Sequence, residues 1–325
     1  MAELNVPHRK TSLSLPGRVR WNLDVRGGMT IIAILIWRHM RVFWRDRLTV
    51  FFSFLAPVSL WGLFVLFLRK QYADVVQTAI PGSSHADAYA LVDAWVFASI
   101  VTLASFTGAL GMLNSFVDDR MTNRFSDYLV TPVKRWQLGV SYVVVTVIVA
   151  FVISMMFLVS SQLWALGFSQ ATMSWAQVGT ALWTTALACL IFSAFNIFIV
   201  TLLGSQGAFN GYAITMGTAI GFLAYCYVPP SGLSTPVNNV LGVLPFAETA
   251  SLIRDPVMAP ATDRILSMYS GDVYDQARSA VQSDLGVTLT VSGHLMPEWL
   301  IVVILFALFV IFASLLPFRM GRIIH

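Results

Sequence analysis

Charge is what this chain has least of. Of its 325 residues only 11% are Asp, Glu, Lys or Arg, against 57% hydrophobic ones, and the mean hydropathy is +0.74. So few charges could not cover the surface of a water-soluble domain, which leaves a polytopic, all-α membrane protein. Lysine is scarcest. Lys10, Lys70 and Lys134 follow Arg9, Arg69 and Val133, so no Gly-Lys pair exists to build a phosphate-cradling P-loop. The sequence also lacks a GxSxG elbow, an HExxH pair and a carboxylate pair inside any apolar run, so no catalytic residue and no metal ligand set is assigned. Cys189 and Cys226 lie in apolar runs without metal-like spacing and read as small core residues. The histidines at 8, 39, 85, 294 and 325 are scattered over polar or boundary positions.

What is present is a set of long apolar runs, at about 48–68, 95–117, 139–160, 176–203, 208–228 and 299–317. Each is long enough, at 1.5 Å per residue, to cross roughly 30 Å of hydrocarbon, which predicts six membrane spans. None of the six holds an Asp, Glu, Lys or Arg. A transporter driven by an ion gradient needs ionisable groups near the midplane, so energy for directed transport must reach this chain from outside it. Within the runs, Pro57 predicts a kink whose freed carbonyl a neighbouring helix must satisfy. Ser105, Gly108, Gly111 and Ser115, and again Ala213, Gly217 and Gly221, form stripes of small residues suited to close helix contact. Asn196 is a lone amide in a span, suited equally to a pathway or to a bond with a neighbouring helix.

Ahead of the spans, residues 1–28 are polar and basic, with no signal-peptide core. Residues 29–47 are apolar but carry Arg38, Arg41 and Arg45 on one helical face, with Ile32, Ile36, Met40 and Phe43 opposite. Three charges at mid-bilayer would cost about 2.5–3.5 kcal/mol each, so this reads as an amphipathic helix lying on membrane lipid. Residues 229–298 are too polar to span and too long for an idle loop. They predict helices over Val240–Met258 and Ile265–Leu285, broken by Gly and Pro at 242, 245, 256 and 260. A short basic tail, 318–325, follows the last span.

The distribution of Lys and Arg sets the orientation. Residues 1–47, 118–135 and the tail hold 15 of the 20, while 69–94 and 229–298 hold the other 5. Basic residues favour the cytoplasm, so both termini and the 118–135 segment are expected there. The net charge of +4 is accounted for in this way and calls for no nucleic acid.

The segment 118–135 carries seven charged residues between two uncharged runs. Met121, Phe125, Tyr128 and Leu129 recur at helical spacing on one face, with Arg120, Arg124 and Asp127 on the other. Pro132 forbids continuation, while Thr131 and Pro132 suit the start of the next helix. A charged connector would have the same composition. The acidic opening Asp118-Asp119-Arg120 and the close Leu129-Val130-Thr131-Pro132 resemble the segment after the second span in permeases of the type-two ABC exporter class, the daunorubicin-exporter-like and polysaccharide-exporter-like proteins. The family more often has Glu, and Gly after the Arg, where this chain has Asp and Met121.

The resemblance implies a permease subunit in a prokaryotic cell membrane, paired with a second copy or a paralogue and moved by two copies of a separate ABC ATPase. ATP and Mg would bind on that partner, with no cofactor on this chain. It implies that 118–135, with Arg38, Arg41 and Arg45 of the interfacial helix, couples to the ATPase. It further implies that the broken helices of 229–298 gate the exit, with Glu248 and Arg254 the charges to examine; a folded cap without a gate would fit the same sequence. Phe51, Phe54, Phe97, Phe106, Asn196, Thr215 and Thr218 are candidate pathway residues. An uncharged lining suits a drug, lipid or glycolipid. Export of a glycan or teichoic-acid-like polymer is the alternative within transport, and a membrane enzyme or a channel not driven by ATP is the alternative outside it.

Overall fold

The computed structural model describes residues 25–125, 131 and 133–323, with backbone only for 25–28, 135 and 316–323. The expectations for Tyr128, Leu129 and Pro132, and for most of the N-terminal segment, lie outside the described residues. The described chain is almost entirely helical.

Helix α1, Val25–Arg45, stops at Asp46, whose carboxylate accepts the Thr49 amide at 3.1 Å and caps α2, Arg47–Leu63. Through a wide π turn at Phe64–Leu68, α2 runs on into α3, Arg69–Ala79. Next come α4, His85–Met121; α5, Arg135–Trp164, with its own π turn at Ala165–Ser169; α6, Trp175–Leu202; and α7, Gln206–Leu223. Short α8, Thr235–Leu241, precedes α9, Pro245–Ile265, and α10, Asp272–Asp284. An antiparallel hairpin pairs Thr290–Val291 with His294–Leu295 before α11, Glu298–Ile323.

Five of these helical stretches are long and apolar enough to cross a membrane: α2 with α3, then α4, α5, α6 and α11. This is a multi-pass membrane protein. Helix α7, the fifth expected span, is not among the five, because Gln206, Asn210 and its glycines dilute its 18 residues.

The fold is arranged around α4, which is buried along most of its length. Its small residues explain why other helices can lie so close. A Cβ on Gly108 would stand 3.0 Å from the Ala150 Cα of α5, and one on Gly111 would strike Ser53 of α2. Ser105 and Ser154 share a buried hydrogen bond of 2.9 Å across the same α4–α5 seam. The carbonyl freed by Pro57 is met by α4 as well: the Ser53 carbonyl, which Pro57 cannot serve, has Thr107 Oγ1 at 3.3 Å. Asn196 of α6 accepts from the Tyr212 hydroxyl of α7 at 2.6 Å, the bond to a neighbouring helix.

Several boundaries fall elsewhere than the sequence suggests. Asp118, Asp119, Arg120 and Met121 continue α4 without a break; the chain turns only at Thr122 and Asn123, where Asn123 takes a left-handed φ of 54°. Burying Asp119 explains the extension, since the last turn of α4 stays packed rather than entering water. On α1 the fully buried stripe is Leu35, His39 and Phe43, while Ile36 and Met40 of the expected face are half-buried against the same core, so the inward face is shifted to take in His39. Pro256 and Pro260 do not break α9: the helix is packed between α4 and α6, and tertiary burial overrides the local cost of proline. Helix α7 ends before 228, because Gly221 lets the chain fold back so that the Cys226 and Tyr227 amides both reach the Gly221 carbonyl, at 2.7 and 3.1 Å.

Candidate functional site

At one end of α4, Asp119 is 6% exposed and joins four segments. Its Oδ2 accepts from the Tyr142 hydroxyl of α5 at 2.5 Å, and its Oδ1 from Arg124 at 3.0 Å, beyond the turn. Arg38 of α1 lies 3.8 Å from Oδ2. His39 stacks on Tyr142 with ring centroids 4.0 Å apart, and Phe125 packs against Phe116 and Tyr142. Burial and the Arg38 charge push the His39 pKa down to about 4, so the imidazole is neutral. Arg120 faces another way and donates to the Leu203 carbonyl at 2.8 Å, closing the end of α6. Arg41 lies over Trp37, while Met121 and Arg45 are exposed. Of the residues expected to couple, the structure thus gathers Arg38, Asp119, Arg124 and Phe125 into one node. It leaves Arg41, Arg45, Asp118, Met121 and Thr131 on the surrounding surface.

Above this node a cleft of about 810 Å³ opens between α2, α4 and α7. Its walls are apolar, from Phe52, Leu55, Leu60, Leu110 and Ile214, and Tyr227 stands at the far end. Near the Asp119 end the lining turns polar without becoming charged. Gln206 donates to Asn114 at 3.0 Å and to Asn210 at 3.3 Å, and Asn114 reaches Thr49 at 3.5 Å. Among the described residues, no Asp, Glu, Lys, Arg or His lines the cleft. Of the expected pathway residues Thr218 lines it, with its hydroxyl turned to the Ile214 carbonyl. Phe97 and Phe106 are core residues, packed on Trp164 and on Phe192 with Phe246. Phe54 packs on Phe157, Asn196 is buried, and Phe51 and Thr215 are exposed away from the cleft.

Glu248 and Arg254 are both fully buried on α9. Among the described residues Arg254 meets no carboxylate. It donates instead to the Ala224 and Tyr225 carbonyls at 2.8 Å each, with the Gly286 carbonyl and Ser99 hydroxyl at 3.3 Å, tying the end of α7 to α4 and α10. The Glu248 carboxylate has no hydrogen-bond partner among the described residues. At the same end of the molecule Arg69 makes two 2.7 Å bonds to Asp93, which also accepts from Trp164 at 2.9 Å. This clamp joins α3, α4 and α5. Sequence reasoning passed over Arg69 and Asp93 as loop and boundary residues; their opposite charges at facing ends of consecutive apolar runs were the available signal.

The family described as ABC-2 type transporter matches residues 30–255, which takes in both the node and the cleft. The chain belongs to the ABC-2 type transporter family. No curated protein matches it. As an ABC-2 permease domain it is a transport subunit and not itself an ATPase, and members of this family normally work with an ABC ATPase partner. The matched region ends within α9, one residue after Arg254, so the hairpin and α11 lie outside it.

Proposed function

We propose that this ABC-2 permease exports a hydrophobic or amphiphilic molecule, a drug, lipid or glycolipid, from the cytoplasm or the inner leaflet of the cell membrane. A separate ATPase in two copies, which binds ATP and Mg, drives it, and a second permease copy or a paralogue completes the transporter. In this reading α7 is a sixth span, both termini and the Asp119 node are cytoplasmic, and the 229–298 segment gates the exit. The observation that carries the reading is the cleft: a space of about 810 Å³ with apolar walls and no ionised side chain suits a molecule that partitions into lipid. The node beneath it supplies the other half. Because α1, α4, α5 and Arg124 meet at one carboxylate, a partner pressing on the surface around Met121 and Arg41 moves α4 as a unit.

The test is reconstitution of the chain with its co-purifying ATPase in vesicles, following ATP-dependent movement of a fluorescent monoacylglycerol between leaflets. The triple variant Asp119→Ala, Arg120→Ala, Phe125→Ala is expected to insert normally and to lose ATP-driven movement. Full transport by that variant, or transport by the chain alone without nucleotide, would overturn the reading.

A further inference from the structure

Hydroxyls are scattered along the cleft, but the amide side chains in its lining, Asn114 and Asn210, are gathered at one end with Thr49. Thr49 lies in the first turn of α2, Gln206 and Asn210 in the first two turns of α7, and Asn114 seven residues before the end of α4. The apolar wall then follows α2 from Phe52 to Leu63, so the whole cleft is about 20 Å long at 1.5 Å per residue. Polar floor and apolar length together have the shape of one amphiphile, head at the Asp119 end and chain toward Tyr227.

We propose that Asn114 and Asn210, with Thr49 and held in place by Gln206 bonded to both amides, select amphiphiles whose headgroup is uncharged and hydrogen-bonding. The inference rests on the cleft being the transport path. A primary amide offers two donors and one acceptor without a net charge. The cluster is not self-satisfied: Gln206 Oε1 is buried with no partner among the described residues, and Asn210 is exposed to the cleft. A hydroxyl or amide headgroup would exchange its bonds to water for bonds to these side chains, whereas an ionised headgroup would lose hydration and gain no counter-charge. Of the charges nearest in sequence, Arg47 and Asp118 are exposed and do not line the cleft, and two more are engaged elsewhere. Asp46 accepts the Thr49 amide and hydroxyl, at 3.1 and 2.7 Å, and Arg120 is spent on the Leu203 carbonyl. The two helix N-termini at this end do not make an anion site, because Asp46 caps α2 and the Ser205 hydroxyl caps α7.

Three probes with one fluorescent acyl chain test this: a glycerol head, a phosphate monoester head and a trimethylammonium head. Each is titrated into the full chain, with its ATPase, in nanodiscs. The glycerol probe is expected to bind at least tenfold more tightly than either charged probe. Asn210→Asp, an isosteric change at an exposed position, is expected to raise trimethylammonium binding about tenfold and to weaken the glycerol probe. Equal binding of all three heads, or an order unchanged by Asn210→Asp, overturns the headgroup inference. Ile214→Trp, which fills the cleft, separates the two levels. Loss of all probe binding in that variant supports the cleft as the path even if the heads are not distinguished, whereas unchanged binding overturns the path and the inference together.

Discussion

The Tyr142 hydroxyl donates to Asp119 at 2.5 Å, and this bond holds the end of α4 against α5. It is a charge-assisted bond in a place water hardly reaches, since Asp119 is 6% exposed. Tyr142→Phe removes the donor and keeps the ring on His39 and Phe116. The expected cost is about 1–3 kcal/mol, the desolvation of a carboxylate oxygen left short of a partner. Thermal unfolding of the purified chain in detergent should show it, and Asp119→Asn in the Tyr142→Phe background should recover part of the loss.

His39 gives the node a pH dependence. Its folded pKa of about 4 is below the ordinary 6.5, so below pH 6.5 the unfolded chain binds the proton more readily. Stability from this group is complete above pH 6.5 and is lost as pH falls toward 4, by on the order of 3 kcal/mol for the whole shift. His39→Phe, which keeps a ring on Tyr142, should flatten the profile between pH 4 and 6.5. A slope in that window unchanged by the substitution would contradict the assignment.

Arg69 and Asp93 form the opposite clamp, with two parallel bonds that only a guanidinium can make. Arg69→Met strands a carboxylate that is 6% exposed and should cost about 3–5 kcal/mol. Arg69→Lys should recover only part of this. A double-mutant cycle with Asp93→Asn should show coupling, because the two groups share one interaction.

Three glycines separate packing from permissiveness. At Gly108 a methyl group would stand 3.0 Å from the Ala150 backbone, and at Gly221 it would overlap the Tyr227 ring, so alanine at either position should cost about 1–3 kcal/mol. At Gly217 nothing lies within 4 Å, and alanine there should be neutral or should stabilise by up to about 1 kcal/mol through helix propensity. The comparison uses the same unfolding assay for all three variants.

The helices were legible in the sequence because hydropathy and length report burial in lipid directly: α2, α5, α6 and α11 lie close to the runs that announce them. The ends were less so. Asp118–Met121 look solvated by charge, yet a partner 23 residues on, Tyr142, pays for burying Asp119. Pro256 and Pro260 look like breakers because propensity is local, whereas the packing that overrides them comes from α4 and α6. The amide cluster was illegible for a similar reason. Asn114 and Asn210 stand in separate runs as minor polar interruptions, Gln206 lies just ahead of the second, and only the fold brings the two asparagines to one end of one cleft.

Helix α4 is a single 37-residue piece, about 55 Å long, with no bulge or proline in its path. Asp119 and Asp93 are about 39 Å apart along it, each fastened to different neighbours. A rigid tilt of α4 would therefore carry both carboxylates together, since the helix between them holds no hinge.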